Sequence, residues 1–222
     1  LWVIQTSTSW TLTQNVISCR LHERTAGHMT IQLAIKRLFD VVVCLIVLIL
    51  GAPMYLVIAL LVKLSSPGPI LFVQDRVGLM GRVFRTYKFR TMVGAPDESS
   101  VVWSQSDEER ITRVGRFLRD YGLDELPQAV NILKGEMSIV GPRPPLPSQV
   151  ESYSEHQKTM FRMRPGVFSL AAVRGRRSIP MEERIELHVR YVENWSLRLD
   201  AMILYKGLLV VLGRENASET IG

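Results

Sequence analysis

Positions 41–62 (VVVCLIVLILGAPMYLVIALLV) carry no formal charge across 22 consecutive residues, with Lys36 and Arg37 before them and Lys63 after. A run this long and apolar is membrane material. As one straight helix it would measure about 33 Å, enough to span roughly 30 Å of hydrocarbon. Gly51-Ala52-Pro53 lies at its midpoint, and basic residues on both sides give both ends a preference for the cytoplasm. Proline removes an N–H and strikes the carbonyl one turn back. A helix that enters, breaks at Pro53 and returns to the same face therefore satisfies both observations. A single span kinked at Pro53 is the alternative.

Beyond this run, Ser65-Ser66-Pro67-Gly68-Pro69 is a breaker cluster, and 70–77 and 83–92 read as two strands joined by a turn over 78–81. Lys88 and Arg90, two apart on the second strand, share a face. A polar loop follows over 96–109, then a helix over 109–119 with Arg110, Arg113 and Arg116 at helical spacing. A second helix is predicted to start at Asp124 as N-cap, to hold Pro127 in its first turn and to end near Gly135. Two further helices are expected over 181–192 and 196–212, the latter suited to lie on a bilayer or to pack on the core. The fold class is therefore α+β: a mostly helical cytoplasmic domain with a small β-hairpin, anchored by an N-terminal re-entrant membrane helix. The expected segments are an upstream, disordered extension over 1–28 with translation starting at Met29, the membrane hairpin over 29–64, the cytoplasmic domain over 65–216, including the C-terminal helices, and a tail over 217–222.

Composition narrows the chemistry. With 47% of 222 residues apolar the chain can bury a real core, and its net charge of +6 is unevenly placed. Residues 63–95 hold six basic and one acidic side chain, whereas 96–150 hold six basic and nine acidic. Two cysteines, Cys19 and Cys44, cannot make a disulfide framework. His22, His28, His156 and His188 stand at no metal-ligand spacing, which leaves solvated surface histidines as the expectation. Walker loops, GxGxxG, GxSxG and CxxC pairs are all absent, removing the usual signatures of nucleotide hydrolysis, dinucleotide redox and serine hydrolysis.

What remains is carboxylates among cations. An aspartate can attack phosphorus to give an acyl-phosphate if cations neutralise the phosphate oxygens. Asp124-Glu125 opens the predicted helix, with Arg119 before it and Arg143 after it, the latter held between Pro142 and Pro144. An arginine fork binds two oxygens at once, and its flanking prolines limit its travel. A neighbouring glutamate can hold Mg²⁺.

The wording of the chain goes further. Lys36-Arg37-Leu38-Phe39-Asp40, then Pro67-Gly68-Pro69-Ile70-Leu71-Phe72 with Gln74, Arg76 and Gly78, and Tyr87-Lys88-Phe89-Arg90-Thr91-Met92 occur in order. They are followed by Leu123-Asp124-Glu125-Leu126-Pro127-Gln128, Asn131, Gly135, Met137-Ser138, Val140-Gly141-Pro142-Arg143-Pro144, Arg164-Pro165-Gly166 and Tyr191-Val192-Glu193-Asn194-Trp195-Ser196. This series resembles the bacterial sugar transferase family, the monotopic polyprenyl-phosphate phosphoglycosyl transferases. The resemblance implies transfer of a sugar-1-phosphate from a UDP-sugar to polyprenyl (undecaprenyl) phosphate with release of UMP, on the cytoplasmic face of the bacterial inner membrane, as the first membrane step of a surface glycan. It further implies Asp124 as nucleophile, Glu125 with Asp124 as Mg²⁺ ligands, and Arg143 at the phosphates. Lys88, Arg90, Arg119, Arg76, Arg164 and Arg176 complete the candidate phosphate-binding set. Pro53 is the expected membrane break, where the family has Ser-Pro and this chain Ala52-Pro53, and Lys36, Arg37 and Asp40 flank the anchor. Nucleic acid is not an expected partner, membrane lipid is, and homo-oligomerisation is left open. The rival expectation is a non-catalytic, membrane-anchored lipid-binding or regulatory module.

Overall fold

The computed structural model describes residues 7–94, 108–175, 179–211 and 213, with side chains described from Met29 onward. It divides into two units, Leu1–Phe39 and Asp40–Gly222. A helix, α1 (Ser7–Ser65), contributes to both. The first unit consists of its turns through Phe39, which hold Lys36 and Arg37. The helix starts inside the segment set apart as an extension, whose side chains lie outside the described residues, as does the predicted tail.

In the second unit α1 runs on to Ser65 with Pro53 inside it, where the sequence predicted two helices around a break. One lost backbone hydrogen bond in a run of apolar residues bends a long helix without ending it. The stretch is long and apolar enough to cross a membrane. Its side chains divide by face: Ile49, Leu50, Leu56, Leu60 and Leu64 are exposed, whereas Cys44, Ile58 and Val62 are buried. The buried ones pack on the domain that follows. Cys44 joins the main core with Ile132, Met137, Ile139, Tyr191 and Ile203, and Ile58 and Val62 join Phe89 and Leu118 in a second cluster.

The predicted hairpin forms as β1 (Leu71–Val77) and β2 (Val83–Phe89), antiparallel, with Phe72 opposite Lys88 and Gln74 opposite Thr86. A short 3-10 turn, Leu79–Gly81, closes it with Met80 at φ 55°. Helix α2 (Arg113–Asp120) follows, shorter than predicted, capped by the Thr112 hydroxyl accepting the Gly115 N–H. The polar loop lies mostly outside the described residues.

The helix expected from Asp124 divides in two. Leu123–Glu125 is a separate 3-10 turn launched by Gly122 at φ 64°, and α3 (Gln128–Lys134) begins only after Pro127. Proline has no N–H to continue the ladder from Leu123, so the acid pair is left on its own turn. As predicted, α3 ends at Gly135, in the left-handed conformation at φ 86°.

Then come β3 (Ser138–Val140), the short helices α4 (Pro147–Val150) and α5 (Glu155–Lys158), a 3-10 turn Thr159–Arg162, β4 (Gly166–Phe168) and α6 (Leu170–Arg174). The sequence reading missed β3 and β4, which pair in parallel with Ser138 opposite Gly166. The last two helices, α7 (Met181–Glu193) and α8 (Leu197–Val211), fall where expected. The architecture is thus mostly helical with two small sheets.

Candidate active site

Glycine at 122 lets the chain turn with positive φ straight into the 3-10 turn, which holds two consecutive carboxylates at the edge of the hairpin. Asp124 is 9% exposed. Glu125 faces β2: its Oε1 accepts Lys88 Nζ at 2.5 Å and Arg143 Nη2 at 3.1 Å. Lys88 and Glu125 are largely buried, and Arg143 is half-exposed. Three elements distant in sequence therefore meet at one oxygen.

The two acids feel this environment differently. Burial works against the Glu125 carboxylate, but Lys88 and Arg143 outweigh it and hold its pKa down at about 2. Burial dominates for Asp124 and, with the Glu125 charge, raises its pKa against the pull of Lys88, Arg119 and Arg143. Burial also lowers the Lys88 ammonium against the attraction of Glu125. Arg76 is lowered to about 10 by burial and by Arg143, with Glu125 opposing.

Asp124 is surrounded by charge, yet among the described residues none donates it a hydrogen bond. Its carboxylate and Glu125 Oε2 are the acceptors left over beside a cluster of cations. That donor set suits Mg²⁺, which takes one or two carboxylates and completes its octahedron with phosphate and water. The described residues contain no cluster of three or more acidic, histidine or cysteine ligands, so a metal here would depend on substrate oxygens.

The remaining predicted residues divide. Arg76 donates to the Pro144 carbonyl at 3.1 Å and to Gln74 at 2.6 Å, so it braces the arginine-bearing segment. Arg76, Thr86, Lys88, Gln128, Arg143 and Pro144 line a shallow cleft beside the acids. Arg119, on α2, donates to Thr91 Oγ1 at 2.9 Å and lies near enough to Asp124 to act on its charge. Arg90 has a different occupation: its guanidinium donates to the carbonyls of Val62, Ser66 and Pro67, closing the C-terminal end of α1. Arg164 donates to the Gly135 carbonyl, at the end of α3. Arg176 lies outside the described residues. Asp40 is 2% exposed and accepts the Ile139 N–H at 3.1 Å.

Sequence reasoning gave no role to three residues that matter here. Asn131, fully buried, accepts the Tyr87 N–H and donates to the Arg85 carbonyl and Glu136, fastening α3 to β2 so that Lys88 faces Glu125. Asp200 accepts the Tyr191 hydroxyl at 2.6 Å and Trp195 Nε1 at 3.2 Å, a buried network beneath β3. His188 corrects the expectation of surface histidines: it is 6% exposed on α7, with a buried Nδ1 that has no hydrogen-bond partner among the described residues. Burial, with Arg143 and Arg184 adding, pushes it down to about 3. The apolar spacing around it on α7 was the available signal.

The chain is 39% identical over 186 residues to an uncharacterized sugar transferase, EpsL, of Bacillus subtilis, covering 84% of this chain and 91% of the relative. It is 41% identical over 190 residues to a UDP-glucose:undecaprenyl-phosphate glucose-1-phosphate transferase of Caulobacter vibrioides, covering 82% and 71%. A UDP-N-acetylgalactosamine-undecaprenyl-phosphate N-acetylgalactosaminephosphotransferase of Aeromonas hydrophila is 38% identical over 213 residues, covering 92% of this chain and 50% of that protein. The family model described as bacterial sugar transferase matches residues 31–214, and the chain belongs to that family.

Proposed function

We propose that this protein transfers a sugar-1-phosphate from a UDP-sugar to undecaprenyl phosphate, releasing UMP. The observation that carries the reading is the buried Asp124 beside a glutamate clamped by Lys88 and Arg143. A lipid-binding module would need the cations but has no use for a carboxylate among them that accepts no hydrogen bond from the described residues. An Asp124 oxygen attacks the sugar-bearing phosphorus, a new P–O bond forms and the bond to UMP breaks. A phosphate oxygen of the polyprenyl acceptor then attacks the same phosphorus, and Asp124 leaves as a carboxylate. Lys88, Arg143 and Arg76 neutralise the phosphate oxygens through both steps. Mg²⁺, held through Glu125 Oε2 and Asp124, would add charge neutralisation at the diphosphate.

The acceptor keeps its tail in lipid, so the site must stand at the membrane boundary. A re-entrant anchor is supported by the packing of α1: Asp40 and Cys44 at one end and Ile58 and Val62 at the other all dock on the same body. The exposed Met202, Tyr205 and Leu208 of α8 suit contact with the same bilayer face. That face is read as the cytoplasmic side of the inner membrane. Relatives of similar identity are named for glucose and for N-acetylgalactosamine, so overall identity does not fix the sugar.

The test is UMP release from a panel of UDP-sugars with undecaprenyl phosphate and Mg²⁺. Asp124→Asn, which keeps the shape and removes the nucleophile, should lower the rate by at least on the order of 10³-fold. Parental turnover by that variant, or no release from any donor by the parental protein, contradicts the reading.

A further inference from the structure

Arg143 follows β3 within three residues, and β3 is fastened from three sides. From the β4 side, Ser138 N–H donates to the Pro165 carbonyl at 2.8 Å, Gly141 N–H to Phe168 at 2.9 Å, and Gly166 N–H to Pro142 at 2.9 Å. From α7, the Tyr191 hydroxyl stands 3.3 Å from the Val140 carbonyl while it bonds Asp200. The third fastening comes from the membrane helix. Successive amides alternate in direction along a strand, so Ile139 N–H points away from β4 and out of the open edge. A buried amide there needs an acceptor. The Asp40 carboxylate supplies it at 3.1 Å, across 99 residues of sequence.

Asp40 is also the last charged residue before the 22 uncharged positions of α1. A buried carboxylate at such a place is costly unless well partnered, so its site is specified closely. We propose that Asp40 is a positioning residue for the transfer reaction: by holding the Ile139 amide it fixes the strand from which Arg143 reaches Glu125, tying anchor and phosphate clamp together. The proposal rests on the transfer reading above. It predicts that the seating of α1 and the placement of Arg143 are one variable, although Asp40 itself touches no substrate.

The test combines rates with hydrogen exchange on the purified full chain in lipid nanodiscs. Asp40→Ala should raise exchange at Ile139 and at Gly141 and Arg143, the two residues of 141–145 that carry an amide proton, and lower UMP release about 10- to 100-fold, the scale of a misplacement near 1 Å. Asp40→Asn, whose amide oxygen still accepts, should recover most of both. With Arg143→Ala already present, Asp40→Ala should cost little more, because the group it positions is gone. Should Asp40→Ala not accumulate, Asp40→Glu keeps the charge and moves the acceptor by one methylene, with the rate expected to fall at an unchanged melting temperature. A parental rate in either variant, losses that multiply in the double variant, or exchange confined to Ile139 overturns the proposal. Absence of UMP release from the parental protein would instead overturn the transfer reading, while exchange at Gly141 and Arg143 would still report whether Asp40 holds the segment.

Discussion

Lys88→Met tests how the acid pair is held. The substitution keeps the length of the stem and removes one of the two cations on Glu125 Oε1, leaving Arg143 at 3.1 Å. Glu125 and Lys88 side chains are 16% and 19% exposed, so solvent screens the pair little. Removing one partner of a buried pair typically costs ~3–5 kcal/mol, because the other charge is left uncompensated. Two features reduce that figure here. The half-exposed Arg143 still faces the carboxylate, and burial of the Lys88 ammonium, which itself opposes folding, is relieved. The expected net loss is about 2 kcal/mol, or roughly 4–8 °C in Tm for a domain of this size. Thermal unfolding in detergent micelles at pH 7.5 measures it. The sign of the cause is checked by Lys88→Met with Glu125→Gln, which removes the orphaned charge and should recover most of the loss. A shift under about 1 °C in Lys88→Met, or a further drop in the double variant, would refute the reasoning.

His188 gives a pH signature of opposite chemistry. Its folded pKa, about 3, lies below the unfolded value of 6.5, so the unfolded chain binds the extra proton and stability falls as pH drops through 6.5. Between pH 7.5 and pH 5 this should cost about 2 kcal/mol in the parental protein and vanish in His188→Leu; parallel pH profiles of the two would show that the imidazole is not buried neutral. Glu125 adds a second window: its folded pKa of about 2 is below the ordinary 4.5, so its contribution is present above 4.5 and is lost as pH falls toward 2. Gly166→Ala should abolish both fold and transfer, because a methyl there would fall on the Gly141 amide and Val140 carbonyl carbon at the β3–β4 crossing. Soluble, well-folded Gly166→Ala would show that the crossing can open.

Much of this was legible before the structure because it is written in local pattern. The uncharged 41–62 run, the hairpin around 78–81, the stop at Gly135 and the helices from 181 and 196 each depend on neighbours in sequence. Asp124, Glu125 and Arg143 were singled out through the ordered motifs of the family resemblance, since an acid pair at a helix start is by itself equally well explained by capping. What was not legible depends on long-range contacts. The β3–β4 pair is three residues a side, too short for periodicity to register, and is held by the tight approach of Gly141 and Gly166. Arg90 looked equivalent to Lys88 on a shared strand face, yet the end of α1 presents carbonyls to one and Glu125 presents a carboxylate to the other. His188 is a different case, since the apolar spacing of its helix carried the sign of burial and the expectation of surface histidines passed over it.

The central claim is that the Asp124 carboxylate becomes the temporary carrier of the phosphosugar. Rapid acid quenching of the protein with its UDP-sugar and Mg²⁺, acceptor omitted, followed by peptide mass spectrometry, addresses it directly. The account predicts a sugar-phosphate mass increment on the peptide containing Asp124, lost on adding undecaprenyl phosphate and missing in Asp124→Asn. An increment on another residue, or turnover-competent protein that yields no adduct at Asp124, would contradict it.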